Sequence, residues 1–156
     1  MGSIIMNNPL VYLDMNIYNR PFDNQTLWRN RIETLACQII FQLAQDQQLE
    51  IVWSFMLAYE NSLNPFIERR QEIRLLSQLS RQVIEPSEGI TRLVDPLIQC
   101  GIKNKDAIHL ACAESVDCQF FITCDDKLTK KAKLLPLKVS VCNPIQFVQQ
   151  VMNHEI

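Results

Sequence analysis

The chain has 156 residues, nearly half of them hydrophobic and about a fifth charged, enough for one domain with an ordinary core and too apolar for a largely disordered chain. A formal charge of −2 and a pI near 5.7 exclude a global attraction to phosphate, so any nucleic-acid contact has to come from a local basic patch or a bound metal. No apolar run approaches the roughly 20 residues that span a bilayer, which excludes a helical membrane span. In chain order, Leu10-Val11-Tyr12-Leu13 is a short β-favouring run ending at Asp14, and Pro21-Phe22-Asp23-Asn24 soon after reads as part of a long loop. Thr26 is a good N-cap, and Leu27, Ile32, Leu35, Ile39 and Leu43 recur at helical spacing behind it, which predicts an amphipathic helix to about Gln47 with that stripe inward.

Glu50 to Trp53 predicts a second strand, and Ser54 caps a helix that carries Glu60 in its interior before Pro65 interrupts it. Phe66 to Leu79 resumes a helical pattern with a charged outer face, and Val83-Ile84 follow as a short strand. Ser87 and Glu88 open a helix with Leu93, Val94 and Leu97 in its interior and Gly101 just past its end. Asn104 is expected to cap the next helix, with Asp106 in its first turn. Phe120-Phe121-Ile122 form a buried strand that runs into Thr123-Cys124-Asp125-Asp126. A short basic helix from Lys127 to Leu134, a strand at Val139–Val141 and a terminal helix opened by Asn143-Pro144 complete the chain. Alternating strands and helices predict an α/β domain with a mostly parallel central sheet and right-handed crossovers, a single domain over 1–156 with its core at about 9–152.

Six cysteines contain no CxxC pair and match no common zinc pattern, so they read as small buried hydrophobes. No export signal opens the sequence, and free thiols suit a reducing cytoplasm, the expected location. Gly2 heads an incomplete myristoylation word, because Met6 stands where Ser or Thr is required.

Sites in open parallel sheets form outside the carboxyl ends of the strands. Asp14 and Asp125 stand at two such ends, Asp106 opens a helix and Glu60 sits within one, so the four carboxylates can meet at one edge. Carboxylates brought together raise one another's pKa, and a bound cation offsets that cost. Oxygen-only ligands favour Mg²⁺ or Mn²⁺, whose bound water is a nucleophile for phosphorus.

These words resemble the PIN family, which includes VapC-type toxin ribonucleases. Val11-Tyr12-Leu13-Asp14-Met15-Asn16 looks like the family's opening element, and Asn19-Arg20-Pro21-Phe22-Asp23 is similar to a loop of one bacterial subgroup. Glu60 followed by Asn61 and Asn64-Pro65, Lys105-Asp106-Ala107-Ile108-His109-Leu110-Ala111, and Ile122-Thr123-Cys124-Asp125-Asp126 resemble the segments of its second, third and fourth acids. The resemblance implies a three-layer α/β/α PIN-like fold and Mg²⁺- or Mn²⁺-dependent hydrolysis of RNA to 5′-phosphate and 3′-hydroxyl ends. It also implies a homodimer and, for a toxin, an antitoxin partner. Metal would be held by Asp14, Glu60, Asp106 and Asp125, with Asp126 as the alternative to Asp125. Asn16 and Thr123 would orient acids or waters, and Arg20, Lys103, Lys105, Lys127, Lys130, Lys131 and Lys133 would meet backbone phosphates. Met15 departs from the family's usual small hydroxyl residue, which predicts a hydrogen bond missing beside Asp14.

His109, one turn after Asp106, reads as a packed, hydrogen-bonded side chain, and His154 as exposed and incidental. Trp28 and Trp53 read as packing residues, and the lysines from Lys127 to Lys133 equally as a solvated helix face. Two alternatives to the ribonuclease stand beside it: a catalytically weak PIN module that binds RNA or a protein partner, and an unrelated Mg²⁺ phosphohydrolase, whose Asp-x-Asp-x-Thr word is missing here.

Overall fold

The short apolar runs become five parallel strands, β1 (Leu10–Leu13), β2 (Glu50–Ser54), β3 (Gln82–Ile84), β4 (Phe120–Ile122) and β5 (Ser140–Cys142), in the spatial order β3-β2-β1-β4-β5. The computed structural model describes residues 8–155; Gly2, Met6 and the side chain of His154 lie outside what it describes. Eight α-helices connect or flank these strands: α1 (Met15–Asn19), α2 (Trp28–Gln45), α3 (Phe55–Ser62), α4 (Ile67–Ser77), α5 (Glu88–Gln99), α6 (Asn104–Ser115), α7 (Asp126–Ala132) and α8 (Pro144–Glu155). Among the described residues no helix is long and apolar enough to cross a membrane.

Strand register assigns the layers. Val11 pairs with Phe120 and Tyr12 with Phe121, so these pairs lie on opposite faces of the sheet. Phe147 of α8 packs edge-on against Phe120, at 5.1 Å between ring centroids, and α2 packs on α8. On the other face Tyr12 stacks on Phe121 at 5.2 Å and meets His109 of α6, and α6 packs against α5 and α3. The result is the expected three-layer, PIN-like α/β/α arrangement. From β1 the chain steps outward through β2 to β3, then returns to β1's other flank for β4 and β5. The crevice above the ends of β1 and β4 is therefore the point where strand order reverses, the place where such sheets bind ligands.

Local chemistry departs from expectation in several places. The loop expected after β1 is instead α1 followed by a 3₁₀ turn over Arg20–Phe22, because Asp14 Oδ1 accepts from the Met15 amide at 2.8 Å and starts a helix at once. Thr26 does not cap α2: its amide and hydroxyl both bind Asn24 Oδ1, at 3.0 and 2.7 Å, closing a turn, and the helix begins two residues later. The first half of the expected inward stripe of α2 faces out, with Leu27, Ile32 and Leu35 about half exposed and Trp28 more so; Ile39 is half-buried and Leu43 packs against the core, while Ala36, Cys37, Ile40 and Phe41 are buried. Leu93 of α5 is likewise exposed, and Ile90 takes its place in the core. Lys103, not Asn104, occupies the cap position of α6. Gly101, at φ 96°, ends α5 as expected: its amide reaches Ile98 O and the Ile102 amide reaches Leu97 O, a Schellman closure that buries Ile102 on Leu97.

Candidate metal centre

Four elements converge on the β1/β4 crevice. β1 delivers Asp14 at its end, β4 delivers Thr123 and Asp125, α3 carries Glu60, and α6 carries Asp106 and His109, which share a face because they are three residues apart. Ligand atoms of Asp14, Glu60 and His109 lie within 4.8 Å of one another. Asp106 and Asp125 stand outside that tight group but close enough for charge to couple them. Asp106 is pushed up to about 6, chiefly by partial burial and then by the charges of Asp14 and Asp125, against the pull of His109 and Lys103.

Asp14 is buried, and burial raises its pKa, with Glu60 adding to the rise; His109, the Thr123 hydroxyl and the Met15 amide work the other way. A polar frame holds it. Thr123 Oγ1 donates to Asp14 Oδ2 at 2.8 Å and accepts from Asn16 Nδ2 at 3.0 Å and from the Asp125 amide at 3.1 Å. Asn16 Oδ1 accepts from the Cys124 amide at 3.0 Å, so Asn16 ties α1 to the end of β4. The hydroxyl expected to be missing beside Asp14 thus comes from Thr123, and Met15 packs into the core instead.

The two neighbouring aspartates part company. Asp125 caps α7, its Oδ1 accepting from the amides of Lys127 and Leu128 at 3.0 and 3.2 Å. Asp126, the alternative to Asp125, is exposed and forms a two-pronged pair with Arg29, at 2.7 and 2.9 Å, which pulls its pKa below the usual carboxylate range.

His109 is buried, as expected of a packed side chain, yet its partners are functional groups. Nε2 lies 2.5 Å from Glu60 Oε1 and 4.0 Å from Asp14 Oδ1, and Nδ1 lies 2.6 Å from the Tyr12 hydroxyl. The Asp-x-x-His spacing in a first helical turn was the sequence signal for this partnership. Among the described residues no lysine or arginine forms an ion pair with Asp14, Glu60, Asp106 or Asp125. Crowded carboxylates, of which Asp14 and Asp106 have raised pKa values, without a lysine or arginine ion pair fit a hard divalent cation, with Asp14 and Glu60 nearest and Asp106 and Asp125 at the rim.

A cleft of about 380 Å³ leads away from Glu60, lined by Met15, Asn64, Phe66, Arg69 and Lys105 among others. Arg69 lies over the Phe66 ring at 4.1 Å, a residue the sequence had offered only as part of a solvated face. Of the basic residues expected to meet phosphate, Lys103, Lys105, Lys127, Lys130, Lys131 and Lys133 are exposed, and Lys131 reaches Gly101 O at 3.0 Å. Arg20 is instead engaged within the fold, with Asp23 at 2.8 Å, Asn30 at 3.0 Å and Glu33 at 3.2 Å.

No protein-family model matches the chain, and no curated protein matches it in sequence. Solved structures match it in fold. The VapBC2 structure from Rickettsia felis, bound to a DNA fragment from its promoter, aligns at 18% identity and TM-score 0.55, over 86% of this chain and 98% of that one. FitAcB from Neisseria gonorrhoeae aligns at 14% identity and TM-score 0.57 with the same coverage. PAE2754 from Pyrobaculum aerophilum aligns at 12% identity and TM-score 0.53, over 97% and 99%. At these identities the likeness is one of fold.

Proposed function

We propose that this protein is a Mg²⁺- or Mn²⁺-dependent endoribonuclease acting as the toxin of a toxin–antitoxin pair in the cytoplasm. The observation that carries the reading is the gathering of Asp14, Glu60, Asp106 and Asp125 at the strand-order reversal with no lysine or arginine ion pair among the described residues. Resemblance of the acidic words to the PIN family, including the Asn19–Asp23 word of one bacterial subgroup, supports it, as does the shared fold with VapBC2 and FitAcB.

Asp14 and Glu60 would hold the ion directly, with Asp106 and Asp125 holding its waters or a second ion. When bound, the metal supplies a nucleophilic water and neutralises charge on the phosphate oxygens. The chain does the rest. Thr123 and Asn16 keep the Asp14 carboxylate oriented, and the half-exposed Asp106, easily protonated near pH 6, accepts a proton from an attacking water at neutral pH. Lys105 and Arg69 line the cleft and, with Lys103, whose charge acts on Asp106, neutralise the RNA backbone. Exposed apolar side chains on α2 (Trp28, Ile32, Leu35) and at the α3–α4 corner (Tyr59, Leu63, Phe66) offer surface for an antitoxin and for self-association.

The test is cleavage of a mixed panel of structured and single-stranded RNAs with Mg²⁺, Mn²⁺ or chelator, comparing wild type with Asp106→Asn. Metal-dependent cutting by wild type alone is the expected result. Equal cutting by both proteins overturns the site, and RNA binding without turnover in any metal supports the binding module instead.

A further inference from the structure

His109 touches both a proposed metal ligand and the core, and two roles compete for it. Either its Nε2 is itself a ligand, giving a mixed nitrogen–oxygen site of the kind zinc accepts, or it serves the site through Glu60. The hydrogen-bond partners decide between these. A Glu60 carboxylate can only accept, so the contact at 2.5 Å requires the proton on Nε2. If that is the ring's single proton, the lone pair on Nδ1 faces the Tyr12 hydroxyl at 2.6 Å. The Tyr12 oxygen in turn lies 2.7 Å from Ser54 Oγ, and Ser54 Oγ accepts from the Leu57 amide at 3.1 Å.

A carboxylate can only accept, so with a single ring proton on His109 the chain is ordered from its Glu60 end, and the Leu57 amide at the other end is compatible with that order. Leu57 N–H donates to Ser54, Ser54 to Tyr12, Tyr12 to His109 Nδ1, and His109 Nε2–H to Glu60. Each hydroxyl accepts once and donates once, and both ring nitrogens are used. Tyr12, Ser54 and His109 are almost wholly buried, so each of these bonds is expensive to leave unmade. Glu60, whose side chain is 19% exposed, keeps Oε2 without a hydrogen-bond partner among the described residues.

Resting on the metal-nuclease reading, we propose that His109 is a positioning residue and not a metal ligand: the Glu60 carboxylate places its proton on Nε2, the Tyr12 hydroxyl, backed by Ser54, occupies Nδ1, and the Nε2–H so held anchors Glu60 Oε1 and leaves Oε2 for the cation. The first coordination sphere is then all oxygen, which favours Mg²⁺ and Mn²⁺ over Zn²⁺. The arrangement reverses the usual one, in which a carboxylate orients a metal-bound histidine. It also explains why the same histidine is buried against tyrosine and not turned to solvent.

The experiment has two arms. In the first, ¹⁵N-labelled wild type is examined by NMR for the His109 ring, with chelator and then with Mg²⁺ alone. An Nε2–H proton present in both states is expected; its loss on adding Mg²⁺ makes His109 a ligand and overturns the proposal, as does an Nδ1–H tautomer without metal. In the second, Mn²⁺ binding is measured by calorimetry without RNA for wild type, His109→Ala, His109→Gln and Tyr12→Phe. Loss of the anchor should weaken Mn²⁺ about 10- to 100-fold in His109→Ala. The Gln amide, a donor near the position of Nε2, should recover most of that, and Tyr12→Phe should lose several-fold with His109 intact. Equal weakening in the Gln and Ala variants, or no weakening in either, overturns the proposal. If His109→Ala does not fold, the Gln and Phe variants carry the comparison. Absence of Mn²⁺ binding by wild type defeats the underlying nuclease reading too, and the NMR arm separates that outcome from a failure of the hydrogen-bond chain alone.

Discussion

Glu33 and Asp14 are both buried carboxylates at the two sides of the sheet's carboxyl edge, and the protein treats them in opposite ways. Glu33, fully buried on α2, is met by Arg29 at 3.2 Å, by Asn143 Nδ2 at 2.7 Å, and by Arg20 Nε at 3.2 Å in an ion pair without hydrogen-bond alignment. It binds α2 to the 3₁₀ turn and to the start of α8, a structural task completed within the chain. Asp14 has only neutral donors and His109 nearby, with Glu60 close and Asp106 behind it. Where the fold needs an ion pair it builds one. At the β1/β4 crevice it leaves acids without a lysine or arginine partner among the described residues, and relief of their repulsion is what would favour the proposed cation.

The comparison can be broken most sharply at Asp106. Asp106→Asn should reduce metal-dependent RNA cleavage by on the order of 1000-fold, about 4 kcal/mol of transition-state stabilisation, measured in single-turnover assays. Next in size, Glu33→Gln should cost about 3 kcal/mol of folding stability, because it strips the partner from two guanidinium groups at a buried site. Urea denaturation checks this, and a loss below about 1 kcal/mol would mean that Glu33 is not the structural keystone claimed for it.

The opposite sign is expected at the other acid. In chelator at pH 7.5, Asp106→Asn should stabilise the protein by about 1 kcal/mol, the pKa rise being discounted because the group is only half buried. The folded-state value of about 6 lies above the ordinary carboxylate value. Its stabilising contribution is therefore complete below about pH 4 and lost as pH rises through 6. Lowering pH from 7.5 to 5 should raise the wild-type melting temperature relative to the variant, and Mg²⁺ at pH 7.5 should raise wild type but not the variant. A wild type that metal fails to stabilise would erase the contrast with Glu33. The smallest effect belongs to Asp126→Asn, whose exposed pair with Arg29 is screened by solvent; thermal melts of the two proteins should nearly superimpose.

Reading the residues in order recovered the parallel sheet, the strand-end positions of Asp14 and Asp125, the Ser54 and Ser87 caps and the Gly101 stop, because each depends on a few adjacent residues. It failed on the buried face of α2. Ile32 and Leu35 match a helical stripe as well as Ala36, Cys37 and Ile40 do, and periodicity ranks size, whereas the close approach to α8 and the sheet selected the smaller set. It failed on Thr26 because Asn24 Oδ1 takes up Thr26's own amide and hydroxyl in a turn. It also gave Arg20 to phosphate, although Asp23 and Glu33 were waiting for it.

What the sequence alone determined is therefore local: which runs become strands and helices, and which acids stand at their ends. Only the tertiary structure decided which acids share space, that Glu33 carries its own cations while Asp14 does not, and that His109 faces Tyr12 on one side and Glu60 on the other. The contacts of Asp14 and His109 join residues 42 to 109 positions apart. Charge and hydrogen bonding act through distance in space, and no window along the chain contains that distance.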